Sequence, residues 1–321
     1  MKIRTDLPFA LSLAGGGSLG AWEAGGVQAL VDDEPGFDRT KLKRIVGTST
    51  GALVGAMVGA YAVTGDYKFI TDMVHIYRNV LDGNILQPED LAAYNLFGVK
   101  GLLLSSIIQK RDSLFNTGPL RDLVDNHMDD VWSVIIEAAQ NTDFDLGFCC
   151  VNMQTGQPEV FWASESTRER MRAALIASTA QPVVMDPVMI GGTQYCDGGL
   201  TDAQPARHLL PRINEDMTVL ALTPDKKAQP ILKEKEFPTV LDQLTRTLSI
   251  FVGNVYATNI EQMELGSIKH KNTITTHWFE PEKRIKHDAL SFKQPALSKL
   301  VDRGFRDVWK KTEFITPEVT P

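Results

Sequence analysis

The chain of 321 residues has only three cysteines, and two of them, Cys149 and Cys150, are neighbours. An odd number with an adjacent pair makes a poor disulfide framework, so a reducing, cytoplasmic setting is expected. Basic residues are outnumbered too: 33 Lys and Arg stand against 40 Asp and Glu, a net charge of −7. With no basic excess to neutralise phosphates, nucleic acid is not expected as a partner. Nor is there a long, strongly apolar run. The stretch 46–64 carries no charge, but Gly, Ser and Thr dilute it, and Gly51, Gly55 and Gly59 recur every four residues. A helix face of bare backbone fits close packing against a sheet better than a bilayer. At the N-terminus, Lys2 and Arg4 precede an apolar stretch in the manner of a secretion signal. Asp6 and Pro8 interrupt it, and cleavage would remove a glycine loop, so no leader is expected. Internal repeats are also missing.

What is present suffices for a substantial core, with 43% hydrophobic and 23% charged residues. At its centre stands Gly47-Thr48-Ser49-Thr50-Gly51, with an apolar strand ahead (42–46) and an uncharged helical run behind (52–63). This is the G-x-S-x-G nucleophile-elbow pattern, a turn so tight that glycines must flank the serine. The serine then opens a helix, where unpaired N–H groups favour developing negative charge.

A second glycine cluster lies upstream. Residues 9–14 read as a buried strand running into Gly15-Gly16-Gly17-Ser18-Leu19-Gly20, and a helix follows over 21–31 with Trp22, Ala24, Val27, Leu30 and Val31 on one side. The loop satisfies G-x-G-x-x-G, yet a dinucleotide fold needs an acidic residue closing its second strand, and here that strand ends in Gly47-Thr48-Ser49. The alternative is an oxyanion hole for a tetrahedral intermediate at Ser49. Farther on, Asp197 stands before Gly198 and Gly199 at the end of a strand, placed either to cap a turn or to act as a base.

Between these landmarks the pattern predicts a helix over 67–81 and a helix from Leu120 opened by Pro119. Strands are predicted at 145–152, 159–163 and 217–222, and a helix at 168–178. Residues 84–104 mix apolar side chains with Gly98 and Gly101, as an extra helical layer or a mobile lid would. An exposed connector is expected over 224–238, then a long helix (240–265), a strand (273–279) and a terminal helix (295–311) with Leu297, Leu300, Val301, Val308 and Trp309 on one side. A frayed tail is expected after Phe314.

Taken together and in order, the glycine loop 15–20, the elbow 47–51 and Asp197-Gly198-Gly199 resemble the patatin-like phospholipase family. Leu114–Leu120, Asn152–Gly156 and Ala177–Pro182 look similar as well, and the resemblance covers residues 9–222. It implies a three-layer α/β/α fold with a mostly parallel sheet. It also implies a serine ester hydrolase acting on lipid or other ester substrates through a Ser–Asp dyad, with neither cofactor nor metal. Carried over residue by residue, Ser49 is the nucleophile, Asp197 the base, and Gly15, Gly16 and Gly17 the oxyanion loop; Gly20, Gly47, Gly51, Gly198 and Gly199 complete the motifs. The organisation implied is a catalytic domain over 1–225, a lid-like insertion around 66–130 and a mainly helical extension over 226–321.

Two residues depart from the family pattern. Leu19 stands where a basic residue is usual, and Asp202-Ala203-Gln204-Pro205 lacks the usual asparagine two residues before proline. Three rival readings remain. One is a triad completed by His270, His277 or His287, another an acyltransferase using the same serine, and the third a binding module that retains the motif. Basic residues between Lys269 and Lys311, interspersed with Trp278 and Trp309, raise peripheral contact with anionic lipid; a solvated helix face is the simpler reading. No motif encodes the oligomeric state.

Overall fold

The computed structural model describes residues 1–33, 36–85, 87–93, 95–96, 105–106, 108–111, 113–225, 240–287, 289 and 291–316, without the side chains of 240–252. The chain opens with β1 (Lys2–Arg4), β2 (Phe9–Leu13) and α1 (Gly20–Val31), then β3 (Leu42–Thr48) and α2 (Thr50–Thr64). Next come α3 (Lys68–Asn79), the single turn α4 (Asp82–Ile85) and a ribbon of β4 (Gln87–Pro88) with β5 (Phe115–Asn116). α5 (Gly118–Met128) and α6 (Trp132–Asn141) lead into β6 (Asp145–Asn152), β7 (Pro158–Trp162), α7 (Arg168–Thr179), β8 (Val188–Ile190) and β9 (Thr193–Asp197). β10 (Met217–Leu222), α8 (Val240–Lys269), β11 (Ile274–Phe279), α9 (Ala296–Trp309) and β12 (Glu313–Ile315) complete the order.

The central sheet has eight strands in the order β11-β10-β2-β3-β6-β9-β8, with β7 also paired to β6. From β11 to β6 all neighbours are parallel. Side chains alternate across a strand, so a sheet covered on both faces must place apolar residues on both. Phe9, Leu11, Leu13, Ile45, Leu220 and Leu222 enter one core with residues of α1, α2, α3 and α9. Ala10, Val46, Met217 and Val219 enter a second core with Ala206, Leu209 and Met263. The fold is therefore the expected three-layer α/β/α arrangement around a mostly parallel sheet.

One detail of register positions the site. β7 runs antiparallel along one side of β6, over Gly147–Val151. β3 and β9 must therefore share the other side, end to end: Thr48 pairs with Cys149, and Asp197 with the next residue, Cys150. The antiparallel β9 thus brings its last residue to the carboxyl end of β3, where Ser49 follows.

The C-terminal part is built into this architecture. β11 extends the sheet beside β10, and α9 packs on α1 so closely that a Cβ on Gly25 would overlap the backbone of Val301, and one on Gly304 that of Trp22. Trp22 Nε1 also donates to Asp307 Oδ2 at 3.0 Å. Sandwiched in this way, α1 is buried on nearly every side, not on the single face that its periodicity suggested.

Other local expectations need correction. α6 was not foreseen. The chain after Phe314 is not frayed at once: β12 pairs with β1 through Ile315, and the Phe314 ring lies edge-on to Phe9 and Phe37. Trp309 is 47% exposed and stacks on Phe305 instead of joining the buried face of α9. Most of the expected connector, residues 226–239, and Phe97, Gly98 and 101–104 of the lid-like stretch lie outside the described residues. Among the described residues, no helix is long and apolar enough to cross a membrane.

Candidate active site

Ser49 has φ 54° and ψ −125°, a conformation that an L-residue adopts only when its surroundings impose it. The surroundings are close-packed. A Cβ on Gly47 would overlap the Gly51 carbonyl, and one on Gly51 the Leu13 carbonyl, so strand, turn and helix fit only with glycine at both places. The turn is also pinned by Ser178, which accepts from the Ser49 N–H at 2.9 Å and donates its own hydroxyl to the Cys149 carbonyl at 2.7 Å.

The Ser49 hydroxyl lies close enough to the Asp197 carboxylate to favour its ionised form. Asp197 Oδ1 also accepts the Gly199 N–H at 2.7 Å, and the residue is only 8% exposed. Burial pushes its carboxyl from 3.8 up to about 6, against the opposing pull of the Gly199 N–H and the Ser49 hydroxyl. A carboxylate poised this near neutrality can accept a proton and return it. Register explains the neighbourhood, since the Gly198 backbone lies against the Cys149 carbonyl with no room for a side chain.

The glycine loop faces the same serine: a Cβ on Gly15 would sit 3.2 Å from Ser49 Cβ. Of its three leading glycines, Gly15 is not a free donor. Its N–H is spent on the Ala203 carbonyl at 2.8 Å, while its carbonyl accepts the Tyr256 hydroxyl. The expectation for Gly15 is corrected accordingly, because an N–H already bonded inside the protein cannot also hold an oxyanion. Among the described residues, the Gly16 and Gly17 N–H groups have no acceptor. Ser18 N–H donates to the Ala289 carbonyl at 2.7 Å, and Leu19 packs against the main core. Below the loop, the wholly buried Glu23 accepts the Ala14 N–H at 2.8 Å, and desolvation holds its carboxyl well above the usual range.

Ser49, Asp197 and Gly15–Gly17 line a cavity of about 320 Å³. Its other walls are mainly apolar, with Leu53, Met57, Met73, Val80, Leu123 and Met128 among them. That size lies in the range of small-molecule sites, roughly 300–1,000 Å³. The proposed triad histidines are elsewhere: His270 Nε2 is bonded to the Leu210 carbonyl, His287 Nε2 to the Ser291 carbonyl, and His277 lies on β11, three strands from β3. The histidine that does line the cavity, His127, holds the Leu123 carbonyl through Nδ1 at 2.9 Å; nothing in its sequence context singled it out. Ser178, Tyr256 and Ala203 were likewise not assigned by sequence, since each acts through the backbone of a residue far away in the chain.

The backbone of the stretch Asp202–Pro205 braces the site, whichever side chains it carries. Asp202 accepts the Thr48 hydroxyl through its carbonyl at 2.8 Å and donates its N–H to the Gly198 carbonyl at 2.8 Å, tying the Ser49 and Asp197 turns together. Its carboxylate lies near Cys149 and His208 with metal-ligand spacing, but Arg207 Nε already holds it at 2.7 Å, and that cation disfavours a second. Cys149, Cys150 and Cys196 are all free and buried. Of the C-terminal basic residues, Arg284 pairs with Asp225 at 2.8 Å and Lys311 Nζ donates to the Glu280 carbonyl at 2.7 Å.

Comparison with solved structures finds VipD from Legionella pneumophila, with a TM-score of 0.40 and 12% identity over 95% of this chain and 66% of VipD. The type III effector ExoU gives a TM-score of 0.42 and 12% identity, covering 96% of this chain and 53% of ExoU. Full-length ExoU in complex with SpcU, from the type III secretion system of Pseudomonas aeruginosa, gives 0.32 and 14% over 82% of this chain and 53% of that one. The chain thus spans less than two thirds of the length of these proteins. No curated protein matches the sequence. The family model described as patatin-like phospholipase, however, matches residues 11–210, a stretch that holds the glycine loop, the Ser49 elbow and Asp197 together. On that match, and with the elbow and its neighbours folded as described, this chain belongs to the patatin-like phospholipase family.

Proposed function

We propose that the chain is a serine acyl hydrolase that cleaves carboxylic esters of lipids, in the manner of a phospholipase A or lysophospholipase, through a Ser49–Asp197 dyad. The observation that carries the reading is the strained Ser49, set beside the buried Asp197 carboxylate at the wall of a largely apolar cavity. Asp197 takes the Ser49 proton as Oγ attacks the ester carbonyl carbon. The carbonyl electron pair moves onto oxygen, where the Gly16 and Gly17 N–H groups hold the resulting oxyanion. When the C–O bond to the alcohol breaks, the leaving oxygen takes the proton from Asp197. Water then attacks the acyl-enzyme with Asp197 again as base, the C–O bond to Ser49 breaks, Ser49 Oγ takes the proton back from Asp197, and the fatty acid leaves. The apolar walls receive the acyl chain, whose transfer from water is favourable by about 0.8 kcal/mol per buried methylene.

The test is release of fatty acid from phospholipid vesicles and of p-nitrophenol from a p-nitrophenyl ester, by wild type, Ser49→Ala and Asp197→Asn. Turnover by wild type and its loss in both variants, with folding intact, supports the dyad. Undiminished turnover in Ser49→Ala refutes it. An added alcohol acceptor separates transfer from hydrolysis: acyl product appearing mainly on the acceptor would make the enzyme a transferase using the same serine.

A further inference from the structure

The glycine loop leans on residues beyond the family-matched segment. Tyr256 lies on α8, outside residues 11–210, and is 5% exposed. Its ring side packs with Ala14 and Ala203, and its hydroxyl donates to the Gly15 carbonyl. The Gly15–Gly16 peptide is not among the cis bonds of the chain. In a planar trans peptide the C=O and the following N–H point in opposite directions, so whatever fixes the Gly15 carbonyl fixes where the Gly16 N–H points. A donor on the carbonyl also polarises the peptide and strengthens that N–H as a donor.

We propose that Tyr256 is a positioning residue for ester cleavage, its hydroxyl aiming the Gly16 N–H at the oxyanion by holding the carbonyl on the other side of the same peptide. The assignment rests on the hydrolase reading above. Neighbouring contacts leave the peptide little else to rely on. The Gly15 N–H is held by Ala203 and the Ser18 N–H by Ala289, which fix the two ends of the turn. The peptide between Gly15 and Gly16 has Tyr256 as its one hydrogen-bond partner among the described residues. Tyr256 also lines the cavity, but its hydroxyl is turned to the Gly15 carbonyl, so removing that hydroxyl alone is expected to act on the transition state more than on substrate capture.

Steady-state kinetics on a p-nitrophenyl ester test the assignment with wild type, Tyr256→Phe, Ile260→Val and Ser49→Ala. Tyr256→Phe keeps the ring and removes the donor. Its kcat is expected to fall about 10- to 100-fold with KM within about twofold, less than the roughly 100- to 1,000-fold typical of deleting an oxyanion donor outright. Ile260, one turn along the same helix, is 5% exposed and not among the cavity-lining residues, so Ile260→Val is expected to keep wild-type kcat, which separates aiming from general packing. Wild-type kcat in Tyr256→Phe overturns the positioning role and leaves the hydrolase reading standing. Full turnover in Ser49→Ala overturns that reading, and the role of Tyr256 with it. Should Tyr256→Phe fail to fold, 3,5-difluorotyrosine incorporated at position 256 keeps the hydroxyl while changing its donor strength. A kcat altered more than about twofold then supports the role, and an unaltered kcat overturns it.

Discussion

Asp197 carries most of the electrostatics of the site. Its carboxyl titrates at about 6 in the folded protein against 3.8 in water, because burial opposes ionisation more than the Gly199 N–H and the Ser49 hydroxyl favour it. A base must be ionised to work, so kcat/KM is expected to rise with pH through a midpoint near 6 and to be lost below it. The same shift has a thermodynamic side. A carboxyl whose folded pKa is raised stabilises the fold fully below its unfolded pKa, and that contribution is lost as pH climbs through the folded one. The shift corresponds to a penalty of about 3 kcal/mol above both values. Asp197→Asn removes the ionisable group, so the variant is expected to be inactive yet more stable than wild type at pH 8. The gap should close between pH 6 and 4. Urea unfolding at three pH values reads it directly, and a variant less stable than wild type at pH 8 would contradict the assignment of burial as the dominant cause. Ser178 is a second residue whose chemistry is local. Ser178→Ala strips the acceptor from the Ser49 N–H and is expected to cost about 1–3 kcal/mol of stability together with most of the turnover, because the strained turn loses its anchor.

At the scale of elements, the site is a consequence of how strands end. β3 and β9 meet head-on along β6, and only because Thr48 and Asp197 take adjacent partners do nucleophile and base become neighbours. The elbow and the Asp-Gly-Gly turn were legible in the sequence because each is a local compromise that glycine alone permits. The meeting was not, since it depends on a strand register between residues about fifty to a hundred and fifty positions apart in the chain. For the same reason the sequence placed Gly15 among the oxyanion donors: its motif is right, but the engagement of its N–H by Ala203 comes from a distant turn. Helix contacts follow similar logic. Gly304 lies against Trp22 with no room for a side chain, so Gly304→Ala is expected to push α9 off α1 and lower stability by about 1–3 kcal/mol. Thermal unfolding checks this, and an unchanged midpoint would show that the helices can part without cost.

For the whole molecule, the order of layers and the mostly parallel sheet could be read from alternating strand and helix patterns, and the resemblance of three motifs gave the family. Less visible was how far the C-terminal part enters the fold. Its strand β11 pairs with β10, its helix α9 covers α1, and Phe314 returns to Phe9 and Phe37 beside the first strands. No local pattern announces pairings between opposite ends of a chain. A chain cut after residue 225 retains every motif of the site yet exposes the sheet edge and the α1 face. It is expected to show no cooperative unfolding transition by circular dichroism; a native-like transition would mean that the C-terminal part is dispensable for folding.

The decisive point is whether Ser49 becomes acylated, and mass spectrometry of the protein quenched rapidly in acid from a p-nitrophenyl ester, intact and after peptic digestion, tests it. An adduct of one acyl group on the peptide containing Ser49 is expected from wild type and is expected to be absent from Ser49→Ala. Turnover with no adduct on Ser49, or an adduct confined to another residue, would contradict it.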